Sequence, residues 1–146
     1  MVWTKEDYVI STDRKKLDIV FIHSFLTKSY WAEGITHAII EKSIKNSLCF
    51  GVFHLDKQVG FAQVVTDKVI FGYLMNVFII APYRGRGLSK WLMHCILDHP
   101  DISGLRAMML ATRDAHGLYA RYGFKPLPDP SVFMRRESAR RKGSSY

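Results

Sequence analysis

The stretch best suited to chemistry is the glycine-rich turn Arg84-Gly85-Arg86-Gly87-Leu88-Ser89, which Lys90 follows. An apolar run of strand length precedes it at 73–80, and apolar residues at helical spacing come after it. A turn from strand to helix aims free backbone amides and the positive end of the helix dipole at one point. With its basic side chains, the turn predicts a cradle for a phosphate or pyrophosphate. The alternative is an ordinary turn with solvated arginines, and the local pattern alone favours neither.

Composition and length describe one globular domain. The 146 residues are 48% hydrophobic and 23% charged, and no run approaches the ~18–20 apolar residues of a membrane helix. The N-terminus lacks the basic-then-apolar layout of a signal peptide. Both cysteines, Cys49 and Cys95, lie within apolar patterns, so we expect buried thiols, no disulfide and no metal site. We therefore expect a cytoplasmic protein without a membrane partner.

Half of the net charge of +8 lies at the C-terminus. From Arg135 onward, five basic residues stand against one acidic residue. We divide the chain into a single domain at 1–137 and a basic, flexible tail at 138–146. Such a tail can contact nucleic acid or acidic lipid, but it is more often only solvated, so we do not expect a nucleic-acid partner.

The order of elements predicts a layered domain of the α/β or α+β class. Helices are predicted at 14–27, 36–46, 88–97 and 113–122, the last one closed by Gly123. Strands are predicted at 8–11, 47–55, 58–66, 73–80, 104–112, 124–126 and 132–134. Hairpins come first and crossovers later, which indicates a mixed, largely antiparallel central sheet flanked by helices.

Two segments resemble the motifs of one family. The segment 82–90 resembles motif A of the GNAT superfamily of N-acetyltransferases, with Ser89 where glycine or alanine is usual. The segment 115–124, in which three residues separate Tyr119 from Gly123-Phe124, is similar to motif B. The resemblance implies a GNAT-like fold with a splayed-strand cleft for acetyl-CoA. It also implies direct transfer of the acetyl group to a primary amine of a small molecule or peptide.

The resemblance assigns the donor side of this cleft. The backbone of Val77, Phe78 and Ile79 would pair with the pantetheine arm, in the manner of an added strand. The pyrophosphate would be held by Arg84, Gly85, Arg86, Gly87, Leu88, Ser89 and Lys90. Thr112 stands where the family often has an asparagine that contacts the cofactor. Tyr119 would protonate the departing thiolate, or pack as a core aromatic in the alternative interpretation. A phenol of pKa about 10 can donate a hydrogen bond to the developing sulfur charge.

The acceptor side is predicted from the loop between the early helices. Tyr30, Trp31 and Glu33 would form an aromatic wall with one carboxylate, which suits an ammonium group; alternatively the aromatics only close the core. Asn76 stands in the strand that often offers a carboxylate base, and an amide cannot take up a proton at neutral pH. The remaining candidates for a general base are Glu33, His37, His54 and His116.

The absence of an identifiable base supports an alternative of another class, a CoA-binding regulatory or interaction module without catalysis. A third alternative, a nucleic-acid-binding module, rests only on the basic charge. The resemblance also leaves a homodimer open, because dimers are frequent in the family. The acceptor itself is not specified by the sequence.

Overall fold

One six-stranded sheet forms the body of the computed structural model, which describes residues 1–138. The strands lie in chain order: β1 Val2–Lys5, β2 Tyr8–Ser11, β3 Leu48–His54, β4 Lys57–Thr66, β5 Phe71–Ile79 and β6 Ala107–Met109. All neighbours are antiparallel except β5 and β6, which are parallel. This confirms the predicted mixed, largely antiparallel sheet. The predicted tail 138–146 lies, except for Ser138, outside the described residues.

The helices are α1 Ile19–Leu26, α2 His37–Lys45, α3 Leu88–Asp98, α4 Pro100–Ser103 and α5 His116–Ala120. Short 3₁₀ turns occur at Arg14–Lys16, Ala81–Tyr83 and Pro130–Val132. The predicted helix at 14–27 begins late because Asp18 caps it, accepting a hydrogen bond from the amide of Phe21 at 2.9 Å. Thr36 caps α2 in the same way. Within residues 1–138, no helix has the length and apolar content needed to cross a membrane.

Two hydrophobic clusters cover the two faces of the sheet. Phe50, Leu92 and Ile96 belong to the cluster beneath α3. Ile40 and Phe61 belong to the cluster beneath α1 and α2. Successive strand residues alternate between the clusters, as the period of a β-strand requires. The central strands are therefore held on both sides and can support a site at their ends.

The C-terminal third departs from the predicted elements. The strand expected at 104–112 shrinks to Ala107–Met109, and α4 occupies a predicted stop. The strands expected at 124–126 and 132–134 do not form within the described residues. Pro126 and Pro128 have no amide hydrogen for a ladder, and Pro130 begins a 3₁₀ turn. The sequence analysis also missed β1, whose residues show no apolar alternation.

Candidate active site

A bulge in β5 opens a wedge-shaped cleft between β5 and β6. Only the first three residues of β5, 71–73, pair with β6. Further along, the pairing of β5 with β4 shifts by one residue between Phe61 and Gln63, opposite Asn76. Asn76 has a φ of 55°, in the left-handed region that asparagine tolerates better than most residues. Beyond 73, β5 therefore diverges from β6 and leaves its edge free for a ligand.

The cleft contains a cavity of about 150 Å³. Its walls come from β5 at 74–77, from the chain after β6 at 110–115, from α5 and from the loop before α2. The predicted site residues that line it are Tyr30, Trp31, Asn76, Val77, Thr112 and Tyr119. Residues as far apart in the chain as Tyr30 and Tyr119 therefore meet at one site.

At the end of β5, the glycine-rich turn presents unpaired amides. Gly85 and Gly87 have φ values of 76° and 78°, which glycine adopts without strain. Within residues 1–138, the amides of 85–90 donate to no protein acceptor. Gly87 caps α3 without a side-chain hydrogen bond, and the first turn of α3 carries no acidic residue. Free amides at the positive end of a helix are a geometry in which an anion can bind, so the anion cradle stays a prediction that this geometry suits.

The space above this turn is open. A Cβ atom placed on Gly85 or Gly87 would meet no heavy atom within 4 Å. A phosphate can therefore approach the backbone at both positions. The turn has the donors, the dipole and the room that a pyrophosphate needs.

Both arginines of the turn contact neighbouring parts of the protein and hold the turn in place. The Arg84 Nε donates to the carbonyl of Ile79 at 2.9 Å. The Arg86 guanidinium donates to the Tyr8 hydroxyl at 3.0 Å and lies 5.1 Å from the centre of the Tyr83 ring. Both arginines thus keep positive charge beside the cradle while they fix its shape. Lys90 is exposed on the first turn of α3.

The side chains of Phe78 and Ile79 are buried in the core. Phe78 stacks on Phe25 with ring centroids 3.8 Å apart. A ligand lying along β5 can therefore contact only the backbone of these two residues, which agrees with the role that the resemblance implies for them.

Tyr119 projects from α5 into the cleft. The Thr112 hydroxyl accepts a hydrogen bond from the amide of Ala115 at 3.1 Å and so fixes the loop that leads into α5. The Tyr119 ring packs edge-on against Phe124. Burial, with smaller contributions from nearby Tyr30 and Asp114, raises the pKa of Tyr119 to about 12. The phenol is therefore protonated at neutral pH and can donate a hydrogen bond.

An aromatic lid made of Tyr30 and Trp31 closes one side of the cleft. The Trp31 Nε1 donates to the Asn76 Oδ1 at 3.0 Å. The Arg113 guanidinium lies 4.6 Å from the centre of the Tyr30 ring. The two aromatic rings meet edge-on, with centroids 5.1 Å apart. The lid is therefore attached to both walls of the cleft.

A buried chain of hydrogen bonds continues from the lid into the core. The Asn76 Nδ2 donates to the Gln63 Oε1 at 2.9 Å. The Gln63 Nε2 donates to the hydroxyls of Ser43 at 2.7 Å and Ser47 at 2.8 Å. Asn76 therefore uses both ends of its amide within the protein, which holds the bulge and the lid together. The sequence analysis missed Gln63, because one glutamine in an apolar strand carries no local signal of its partners.

None of the four predicted bases lines the cavity. Glu33 is exposed on the outside of the lid loop. His37 faces His23, and the His54 ring is hydrogen-bonded to the Tyr83 hydroxyl at 3.2 Å. His116 lines a larger groove that borders this cavity.

A carboxylate does line the cavity, and the sequence analysis did not propose it. Asp114 is exposed at the mouth of the cleft, between β6 and α5. The only signal available in the sequence was its place just before a helix and shortly after a strand. Such a position is as typical of a helix cap as of a catalytic group.

Both thiols are buried and free, as predicted. Burial raises the pKa of Cys95 to about 11, so this thiol is neutral and cannot serve as a nucleophile in the cleft. Within residues 1–138, no group of three or more His, Cys, Asp or Glu residues could hold a metal ion.

Comparison with known proteins bears on the family and the fold of this chain. Residues 45–126 match the family model described as an acetyltransferase (GNAT) domain. A Xanthomonas campestris pv. campestris crystal structure of a protein assigned to the GNAT family is 48% identical, with a TM-score of 0.87, covering 90% of this chain and 93% of that one. A Gibberella zeae protein provisionally named an acetyltransferase is 28% identical over 142 residues, covering 82% of this chain and 79% of its own.

A further solved structure is informative about the fold alone. It is a predicted acetyltransferase from Clostridium acetobutylicum, crystallised with acetyl-CoA, and it is 14% identical with a TM-score of 0.64. The match covers 89% of this chain and 94% of that one.

Proposed function

Because this chain belongs to the GNAT acetyltransferase family, we propose that it transfers the acetyl group of acetyl-CoA directly to a primary amine of a small molecule or peptide. One observation carries the proposal. The cavity that Tyr119 lines borders β5 at 74–77, and the free amides of 85–90 follow the end of the same strand. The anion cradle would hold the pyrophosphate of CoA, the strand edge its pantetheine arm, and the Tyr119 hydroxyl would lie near the thioester sulfur. This is the order of these groups along CoA.

The residues on the donor side fit coenzyme A by its chemistry. The amides of 85–90 would hold the pyrophosphate, and the backbone of 77–79 would pair with the pantetheine arm. When bound, acetyl-CoA supplies a thioester, which the acceptor amine attacks as the carbon–sulfur bond breaks and the CoA thiol leaves. The chain contributes orientation, since both contacts are with rigid backbone.

Tyr119 stabilises the sulfur that leaves. Its pKa of about 12 lies above the pKa of an ordinary thiol, about 8.5, so full proton transfer from the phenol is uphill. A hydrogen bond from the phenol is favourable, however, because it strengthens as negative charge develops on sulfur. In the balanced reaction, the proton on the product thiol is the one that the amine loses.

The acceptor side suits an ammonium-bearing molecule. Tyr30 and Trp31 provide aromatic faces, and Asp114 provides a negative charge at the mouth of the cleft. We propose that these three residues hold the acceptor, and that Asp114 passes the first proton of the ammonium group to solvent before the amine attacks. The second proton that the amine loses is the one that ends on the CoA thiol. The buried amide of Asn76 acts through Trp31 by fixing the lid.

The proposal is tested in two steps. Calorimetric titration with acetyl-CoA should show one binding site, and no heat at millimolar concentration would contradict the proposal. CoA release should then be measured with a thiol reagent across polyamines, amino sugars, amino acids and peptides.

A second candidate, a CoA-binding module without catalysis, draws support from the position of the four histidine and glutamate candidates outside the cleft. Binding of acetyl-CoA with no release of CoA from any amine would favour it over the enzyme.

A further inference from the structure

Two consecutive residues at the mouth of the cleft carry opposite charges. Arg113 and Asp114 are both exposed, and neither forms an ion pair or a side-chain hydrogen bond within residues 1–138. Asp114 lines the cavity, and Arg113 lines the larger groove that borders it. Both charges are therefore available to a molecule that enters the cavity.

Arg113 is oriented by the aromatic lid although it is exposed. Its guanidinium lies over the ring of Tyr30, with the Cζ atom 4.6 Å from the ring centre. Tyr30 in turn meets Trp31 edge-on, and the Trp31 indole is hydrogen-bonded to Asn76. The lid thus holds the guanidinium by one face, and in the described part of the chain its N–H groups donate to no acceptor.

A guanidinium held in this way suits an oxyanion. Arginine presents paired N–H groups that match two oxygens of a carboxylate or of a phosphate. The net charge of +8 also attracts anions to the surface of this protein. A purely cationic acceptor would instead meet Arg113 as a like charge at the entrance. The mouth of the cleft therefore suits a molecule with both signs of charge, an ammonium group for Asp114 and an oxyanion for Arg113.

The size of the cavity places the oxyanion outside it. A volume of about 150 Å³ corresponds to roughly five molecules of liquid water, which leaves room for the reacting amine but not for a large acceptor. The rest of the acceptor must extend through the mouth, past Arg113 and Asp114. These two residues are consecutive, with Cα atoms about 3.8 Å apart, so one small molecule can contact both. Tyr30 and Asp114 also lie close enough to Tyr119 to contribute to its raised pKa, which puts the mouth beside the proposed reaction centre.

We propose that the acceptor is an amine that also carries an oxyanion, a carboxylate or a phosphate, within a few bonds of the amine. The amine lies in the cavity near Tyr119, and the oxyanion binds the guanidinium of Arg113 beside the Tyr30 ring. The α-amino acids are the simplest members of this class. This inference rests on the proposed function, since it concerns the acceptor of the same cleft, and it assigns Arg113 to that acceptor and not to acetyl-CoA.

The first test measures binding without catalysis, so that it does not depend on the proposed activity. Matched amines with and without the oxyanion are titrated by calorimetry into the protein, both alone and saturated with CoA. The pairs are phenylalanine and phenethylamine, lysine and cadaverine, and O-phosphoethanolamine and ethanolamine. In at least one pair the anionic member should bind about fivefold more tightly, the upper end for an exposed ion pair.

The pair that shows the preference identifies the oxyanion. A preference in the amino-acid pairs would indicate a carboxylate, and a preference in the third pair would indicate a phosphate. Equal affinity within every pair would overturn the proposal. So would the absence of binding by every compound at tens of millimolar.

Substitution of Arg113 shows whether this residue carries the preference. In Arg113→Gln the two members of a pair should bind alike. Arg113→Lys should retain part of the preference, because lysine keeps the charge but not the paired N–H groups. Arg121→Gln is the matched control and should keep the wild-type preference, since Arg121 is exposed at the end of α5 and lines neither the cavity nor the larger groove.

The ratio of the two affinities distinguishes an ionic role from a structural one. If Arg113 only held the lid, Arg113→Gln would weaken both members of a pair by the same factor and leave their ratio unchanged. That result would overturn the proposal. Arg113→Gln should also bind acetyl-CoA with wild-type affinity, and a loss of that affinity equal to the loss for the anionic amine would assign Arg113 to the donor and overturn the proposal as well.

Release of CoA separates this inference from the proposed function. For the anionic amine, kcat/KM should fall about fivefold in Arg113→Gln, whereas kcat/KM for its neutral counterpart should stay unchanged. An equal fall for both amines would contradict the assignment of Arg113. If no amine released CoA while the wild type still preferred anionic amines in calorimetry, the proposed function would be wrong and the oxyanion site would be supported.

Discussion

The two sides of the cleft differ in the kind of group that lines them: backbone on one side and side chains on the other. The proposed donor side consists of backbone: the amides of 85–90 and the free edge of β5. The proposed acceptor side consists of side chains that come from three separate segments, namely Tyr30 and Trp31, Asn76, and Asp114. A backbone site depends on the local conformation of one stretch of chain. A side-chain site exists only after distant parts of the chain have packed.

This difference predicts how the two sides respond to substitution. A change on the donor side should alter binding of acetyl-CoA and leave the acceptor contacts intact. A change on the acceptor side should alter binding of the acceptor and leave binding of acetyl-CoA intact. It should also lower the stability of the fold, because Asn76 is hydrogen-bonded to Gln63 in the core. Tyr119 stands where the two sides meet, and its substitution should affect the chemistry while sparing both binding steps.

The largest effect is expected for Tyr119→Phe. Removing the hydroxyl should lower turnover about 100-fold, because the developing sulfur charge loses its hydrogen-bond donor. The affinity for acetyl-CoA, measured by calorimetry, should stay within about twofold, since the ring and its packing on Phe124 remain. Tyr122→Phe is the control: its hydroxyl donates to the carbonyl of Lys90, away from the cavity lining, and turnover should be nearly unchanged. Equal turnover in wild type and Tyr119→Phe would remove this residue from the mechanism.

The pH dependence of turnover gives a second test of the role of the Tyr119 hydroxyl. Burial raises the pKa of Tyr119 to about 12, so the phenol loses its proton only well above neutral pH. Turnover at saturating acceptor should therefore not decline between about pH 7 and pH 10 through ionisation of a tyrosine, whose ordinary pKa is about 10. A decline with an apparent pKa below 9 that is absent from Tyr119→Phe would contradict this assignment.

On the donor side, Gly87→Val should weaken binding of acetyl-CoA about 30-fold, which corresponds to roughly 2 kcal/mol of strain at a left-handed position. No neighbouring atom would clash with the new side chain, so the loss would come from backbone conformation and from access to the amides. Gly104→Val is the control, because Gly104 is equally open but has a φ of −98°. Both variants should keep the wild-type circular dichroism spectrum. Equal affinity in Gly87→Val and wild type would mean that the turn does not hold the pyrophosphate.

The contrast between backbone and side chains also explains what the sequence could predict. The turn at 84–90, the strand before it and the helix after it were predicted because their signals are local: glycines, an apolar run and a helical period. Tyr119 was found through its motif, at a fixed distance from Gly123. The partners of Asn76 could not be predicted, because Gln63 and Trp31 reach it only through the register of β4 and β5 and through the lid.

The wrong strand prediction near the C-terminus has a related cause. The residues 132–134 have the pattern of a strand, but a strand needs a neighbour, and in the described residues 1–138 they pair with none. Local propensity predicted a strand there, and this prediction was wrong, because propensity does not supply a neighbouring strand.

On the acceptor side, Asn76→Gly should test the buried chain of hydrogen bonds. Glycine keeps the left-handed backbone at φ 55° but removes the amide that joins Trp31 to Gln63. The free energy of unfolding in urea should fall by about 1–2 kcal/mol, since buried polar groups lose their partners. The KM for the acceptor should rise about tenfold, as the lid loses its attachment, and the affinity for acetyl-CoA should change little.

Comparison of Asn76→Ala with Asn76→Gly separates the effect of losing the side-chain amide from the effect of backbone strain. It should be less stable than Asn76→Gly by roughly 1 kcal/mol, because alanine is strained in the left-handed region. Asn46→Gly, at the exposed end of α2, is the control for loss of an asparagine amide from the surface. If Asn76→Gly raised the Kd of acetyl-CoA as much as the KM of the acceptor, the division of the cleft into two independent sides would be wrong.

The smallest effect is expected for Asp114→Asn, because an exposed charge acts through screened electrostatics. If this carboxylate attracts an ammonium group, the KM of an amine acceptor should rise about threefold, in line with the ~0.2–1 kcal/mol of an exposed ion pair. The increase should shrink as salt is added, since screening weakens the wild-type attraction but leaves the variant unaffected. Asp56→Asn makes the same change of charge in the β3–β4 turn, away from the cleft, and should leave KM unaltered at every salt concentration. Equal KM values for Asp114→Asn and wild type at low salt would place the positive charge of the acceptor elsewhere, and the aromatic faces of Tyr30 and Trp31 would then have to hold it alone.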